Sequence, residues 1–150
     1  DPNCPLCRED GGIVLWRGPH LRIIDVNDAD YPGFTRVIWH GHLPEMTNLS
    51  NHGRDLIMRA VYAVEQVQRE ILAPDKVNLA SLGNMVPHLH WHVIPRWQGD
   101  RHYPDAIWAP PRVAPGTESP QWLARQAQTR QLLPRYHNRL IEAMDALLWH

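Results

Sequence analysis

The sequence predicts an α+β domain, an antiparallel sheet carrying one long helix, followed by a C-terminal helical extension. Three observations carry that expectation. Short runs rich in β-branched residues recur between turn residues in the first hundred positions. Apolar residues from Ile57 to Ile71 repeat at helical spacing. After Arg96 the composition turns proline-rich and then helical.

Each element has a local reason. CPLC, Cys4 to Cys7, reads as a compact knuckle in which Pro5 favours a tight turn. GIVLWRGP, Gly12 to Pro19, holds a short strand ending at Gly18-Pro19. LRIIDVN, Leu21 to Asn27, and FTRVIWHGH, Phe34 to His42, flank the turn residues of DADYPG and read as an antiparallel pair. Ser50 or Asn51 is placed to cap a helix. Its stripe is Ile57, Ala60, Val61, Val64, Val67 and Ile71, with Arg54, Glu65, Gln68 and Arg69 largely off it. Pro74 stops it. VNLASL, Val77 to Leu82, is a further strand, Gly83 to Pro87 a loop, and HLHWHVIP the last strand. Tyr103 to Pro120 is expected to be irregular. Trp122 to Leu133 and Arg135 to Trp149 read as two helices divided by Pro134. The expected organisation is a domain over 1–98, with 99–150 as an extension packed on it.

Composition narrows the function. Hydrophobic content of 43% and charged content of 21% describe a globular chain. Fifteen basic and 16 acidic residues leave a formal net charge of -1. That balance calls for neither nucleic acid nor an anionic membrane as partner. A phosphate compound would have to be held by a local site, and Lys76 is the only lysine beside many arginines. No apolar run has the length of a membrane span and no signal peptide is visible, so the expected compartment is the cytoplasm. Cys4 and Cys7, two residues apart, suit a metal or redox pair better than a disulfide framework.

The informative stretch is HLHWHVIPRW, His88 to Trp97. Residues two apart on a strand share a face, so His88, His90 and His92 are expected to line one cleft. Leu89, Trp91 and Val93 then face the helix. Three imidazoles allow two chemistries. They can hold a metal, or one can attack phosphorus while its neighbours orient it, bind oxygens and assist the leaving group.

HLHWHVI resembles the His-φ-His-φ-His-φ-φ signature of the histidine triad (HIT) family, where φ is apolar. IIDVN, Ile23 to Asn27, resembles the family's strand ending in Asp-φ-Asn. RVIWHGHLPEMTNLS, with His42 and Glu45, and VNLASLGNMVPHLHWH resemble its second strand and the segment leading into the triad. CPLC resembles the Cys-x-x-Cys of its zinc-binding branches. These matches run from Cys4 to Arg96, roughly two thirds of the chain.

The resemblance implies a HIT-like fold and a nucleotide hydrolase or transferase. His90 is the implied nucleophile, attacking the α-phosphorus of a nucleotide conjugate to form a nucleotidyl-histidine, which water resolves to a nucleoside monophosphate. His92 would contact phosphate oxygens and help the leaving group. His88 completes the triad. Asp25 and Asn27 match positions near the ribose, and Asn78 matches a strand amide near the phosphate. Asn84 stands where many members carry Gln, with the same amide chemistry and a shorter reach. The implied zinc set is Cys4, Cys7, His42 and His88, a closed and therefore structural tetrahedron, with no metal needed for the chemistry. His40 rivals His42 for that role. The implied partners are an adenosine or other purine nucleotide conjugate and a second copy of the chain.

Two other readings stand beside this one: a non-catalytic nucleotide-binding protein, and a metalloenzyme with all three triad histidines on one ion. Trp97 and Trp108 are placed either to pack on a nucleobase or in the core. Trp39 and Trp91 are expected in the core. His20, His52, His102, His137 and His150 are expected at the surface.

Overall fold

In the computed structural model, which describes residues 1–150, each β-branched run forms a strand. The strands are β1 (Ile13–Arg17), β2 (Leu21–Asp25), β3 (Thr35–Trp39), β4 (Lys76–Ala80) and β5 (His90–Arg96). They form one sheet in the order β1-β2-β3-β5-β4, with every neighbouring pair antiparallel. The knuckle is a single helical turn, α1 (Pro5–Arg8). The long helix α2 (Asn51–Val67) follows β3.

Ser50 caps α2, its side-chain oxygen accepting the Gly53 N–H at 3.1 Å. The predicted stripe is buried: Ile57, Ala60, Val61, Val64, Val67 and Ile71 all face inward. They pack against Leu21, Ile23, Val37, Leu89 and Val93 on one face of the sheet. Burying each such aliphatic side chain stabilises by about 1.5–3 kcal/mol, which is what fixes the helix to that face. A wider π turn, Gln68–Leu72, ends the helix before Pro74, with Ala73 in the left-handed region at φ 49°. The Gln68 amide is buried there and donates to the carbonyls of Gly33 and Val93, both at 3.0 Å.

Two expectations are corrected. The C-terminal segment is one helix, α3 (Pro120–Ala146), running straight through Pro134. Ser119 caps it, accepting the Trp122 N–H at 3.1 Å. Pro134 removes one N–H and one ladder bond, but its ring is exposed. Thr129 before it and Tyr136, Leu140 and Met144 after it are buried, so packing holds the helix continuous across it. Second, β5 begins at His90, so His88 precedes the strand and its ring is free to turn elsewhere. Trp39 and Trp91 pack on the core only partly buried. No helix is long and apolar enough to cross a membrane.

Strand register decides which side chains leave the helical face. Arg36 lies opposite His92 and Ile38 opposite His90. Ile24 lies opposite Arg36, and Asn78 opposite Ile94. Alternation therefore places Ile24, Arg36, Ile38, His90, His92, Ile94 and Asn78 on the face away from α2.

Candidate functional site

On that face a cavity of about 530 Å³ opens, with His90, His92, Arg36, Asn84 and Trp108 among its lining. The hydrogen bonds around it fix three imidazole tautomers, because a carbonyl can only accept and a guanidinium can only donate. His90 Nδ1 lies 2.6 Å from the His88 carbonyl. It therefore carries the proton, and Nε2 keeps its lone pair. His88 Nε2 lies 2.6 Å from the Trp39 carbonyl, so Nε2 carries the proton and the Nδ1 lone pair is free. Arg36 Nε donates to His92 Nδ1 at 3.2 Å, so the proton of a neutral His92 is on Nε2.

Burial first, then the Arg36 cation and His90, hold the His92 pKa down to about 3. Burial also lowers that of His90, with Arg36 adding to it and the hydrogen bond to the His88 carbonyl opposing it. Both rings are thus neutral at neutral pH. An unfolded histidine takes up a proton near pH 6.5, whereas native His92 does so only near pH 3. Between about pH 6.5 and pH 3 the unfolded state then binds more protons, so stability is lost as the pH is lowered through that window. Urea midpoints across it should drop more steeply for the wild type than for His92→Asn, which cannot titrate there. Parallel slopes would contradict the assignment.

The triad does not act as three parallel rings. His90 and His92 stand edge to face at 4.9 Å and line the cavity. His88 turns its ring to the N-terminus instead, a correction to the expected common face that follows from its place outside β5. Its Nδ1 meets Cys4 Sγ at 3.5 Å and Cys7 Sγ at 3.4 Å, and His42 Nδ1 meets Cys7 Sγ at 3.4 Å. The four ligand atoms all lie within 4.8 Å of one another. A tetrahedral zinc holds its sulfur and nitrogen ligands about 3.6 Å apart, so this donor set fits the ion. The rival His40 is engaged elsewhere, its Nε2 2.8 Å from the Gly18 carbonyl. Arg22 clamps the knuckle in place, donating to the carbonyls of Leu6 at 2.8 Å, Glu9 at 3.0 Å and Asp10 at 3.0 Å.

Of the expected nucleotide contacts, Asn84 lines the cavity. Asn78 is on the same face beyond Trp108, in an adjoining cleft of about 560 Å³, and its Oδ1 accepts from Arg96 Nη1 at 2.8 Å. Asp25 does not line that cavity. It pairs with Thr35 on the helical face and lies 2.8 Å from His137 Nε2 on α3. Its other oxygen accepts the Asn27 N–H at 2.7 Å. Asn27 is exposed in the left-handed region at φ 59°, a conformation that Asn tolerates, and does not line the cavity.

Trp97 is buried, so it belongs to the core and not to a base-stacking surface. Trp108 stays half exposed with its ring 5.0 Å from that of His92. His102 and His137 are not free surface groups: Tyr31 Oη contacts His102 Nδ1 at 2.6 Å, and His137 meets Asp25. Sequence reasoning missed Arg36 and Arg22. Strand alternation from His92 identifies Arg36 only once the register between β3 and β5 is known.

Comparison with known proteins agrees with this geometry. A family model described as the HIT domain matches residues 8–99. A histidine triad protein from Marinobacter aquaeolei has the same fold, at 27% identity and TM-score 0.65, covering 87% of this chain and 92% of that one. One from Bradyrhizobium japonicum aligns at 25% identity and TM-score 0.64, covering 85% and 91%. A curated relative from Mycobacterium tuberculosis, named AP-4-A phosphorylase, is 26% identical over 106 residues, 66% of this chain. The chain spans about half the length of that relative, 54%. With two triad histidines on the fifth strand of an antiparallel sheet, the third just before it, and the family model spanning most of its length, the chain belongs to the HIT family of nucleotide-processing proteins.

Proposed function

We propose that the protein cleaves nucleotide conjugates at the α-phosphate, with His90 as nucleophile and a nucleotidyl-histidine as intermediate. One observation carries this reading: the His90 Nδ1 contact with the His88 carbonyl, which leaves a neutral Nε2 lone pair in a cavity large enough for a nucleotide's phosphate end. The Nε2 pair attacks phosphorus, and the bond to the leaving group breaks with its electrons. The Nε2–H of His92 donates to phosphate oxygen as charge builds. Water then attacks the phosphorus, loses a proton, and returns the pair to His90. Asn84 is the amide in reach of the phosphate chain, and Trp108 offers the apolar wall. The name AP-4-A phosphorylase, borne by a distant relative, agrees with adenosine conjugates as substrates.

The reading is tested by AMP release from diadenosine tetraphosphate and adenosine phosphoramidate, with a rapid alkaline denaturing quench, under which a phosphorus–nitrogen bond survives, to trap labelled nucleotide on the protein. Label on His90 in stoichiometric amount is expected. Tight AMP binding with no release from either compound would favour a binding protein instead.

Cys4, Cys7, His42 and His88 would hold a structural zinc, which supplies a cross-link and no chemistry of the reaction. Its effect on catalysis would be indirect, since His88 would ligate the ion and also lends its carbonyl to His90. One zinc per chain is expected by elemental analysis. Chelation or Cys7→Ser should lower Tm by roughly 5–10 °C, the shift expected for a loss of about 2–3 kcal/mol. The rate should weaken without vanishing. A metal-free protein of unchanged Tm would reject the site.

A further inference from the structure

Arg36 is a half-buried cation at the cavity that the fold leaves without an anion. Arg96 pairs with Asp100, Arg101 with Glu118 and Asp30, Arg17 with Asp10, and Arg112 with Asp105. The Arg22 guanidinium is taken up by three carbonyls. Arg36 has no ion pair, and its one hydrogen bond runs from Nε to His92. Its Nη groups have no protein acceptor, although the side chain is half-buried, lies 5.4 Å over the Phe34 ring and lines the cavity beside His90. Holding an unpaired cation in such a place is unfavourable unless a ligand anion offsets it.

We propose that Arg36 is a substrate-specificity residue, and that its Nη groups bind the phosphate departing from the α-phosphorus, selecting nucleotides joined through a phosphoanhydride over those joined through an amine. This rests on the α-phosphate chemistry proposed above. In the first step the His90 Nε2 pair forms the N–P bond. The bridging P–O bond breaks, and its pair stays on the oxygen of the leaving phosphate chain. That oxygen is a stable anion needing charge neutralisation and no proton, which a guanidinium supplies through two parallel N–H donors. An amine leaving group needs a proton. Arg36 has none to give at neutral pH, and its charge opposes a developing ammonium. His92 cannot compensate, since Arg36 holds it as a neutral donor.

The test compares kcat/KM for diadenosine tetraphosphate and adenosine phosphoramidate in the full-length wild type, Arg36→Leu and Arg36→Lys. Wild type should favour the polyphosphate. Arg36→Leu should slow both, because His92 loses its orienting donor. It should also cut the ratio of polyphosphate to phosphoramidate by about 10- to 100-fold, the value of losing charge-assisted hydrogen bonds to one phosphate. Arg36→Lys should restore part of the ratio, and its melting curve guards against misfolding. An equal fall on both substrates would show that Arg36 only orients His92, and a wild-type preference for the phosphoramidate would overturn the assignment outright. AMP release from neither compound would instead overturn the underlying cleavage reading, and the proposal with it.

Discussion

Replacing His90 by Ala is expected to lower AMP release by roughly 10⁴-fold or more, the usual consequence of removing a covalent nucleophile. The size follows from the tautomers. No other nitrogen presents a lone pair in the cavity: His92 Nδ1 is occupied by Arg36, and His88 turns its Nδ1 to the two thiols. Water attacking directly would have to do without the intermediate. Truncation at the cavity wall leaves the core behind β5 untouched, so melting temperature should hold and AMP should bind with a Kd within a few-fold of wild type. Single-turnover release and calorimetry check both halves. Residual activity within about tenfold of wild type would mean that the attack on phosphorus does not come from His90.

Asp100→Ala should be the most damaging single change to stability, at about 3–5 kcal/mol by urea denaturation. Asp100 and Arg96 are 0% and 3% exposed, with contacts of 2.8 Å and 3.1 Å between carboxylate and guanidinium. Asp100 also accepts from Tyr31 Oη at 3.1 Å and from the N–H groups of Trp97, His102 and Tyr103 at 3.1, 3.0 and 2.8 Å. Burial raises a carboxyl pKa, but Arg96 and these donors outweigh it and hold Asp100 below its ordinary range. Alanine leaves a buried cation and several donors without partners at once, which is why the effect exceeds that of a cavity alone. Arg96 also donates to Asn78 and to the Asp105 carbonyl, so the network anchors the segment carrying Trp108 to the end of β5. Catalysis should therefore weaken along with stability. A loss under about 1 kcal/mol would mean that the pair is dispensable to the fold.

Most of the scaffold was legible because its signals are local. The stripe from Ile57 to Val67 and the cap at Ser50 specify α2 within one segment. β-Branched runs between turn residues specify the strands, to within two or three residues at their ends. The triad, the Cys-x-x-Cys and the histidine at 42 were readable as motifs, and the fold does bring Cys4, Cys7, His42 and His88 together. Pro134 shows the limit. Its local rule breaks a helix, and the burial of Tyr136, Leu140 and Met144 overrides that rule.

By itself the sequence determined the α+β class, the place of His90 and His92 on a strand, and the residues able to meet at a metal. Those follow from backbone periodicity and side-chain chemistry, which neighbours in the chain decide. Only the tertiary structure decided that His88 serves the thiols and not the cavity, that Asp25 lies behind the sheet against His137, that Trp97 is core, and that Arg36 lines the cavity beside His90 and His92. Each of these turns on strand register or on a contact between segments far apart in sequence. A one-residue change of register would carry every such side chain to the opposite face without altering a single local preference.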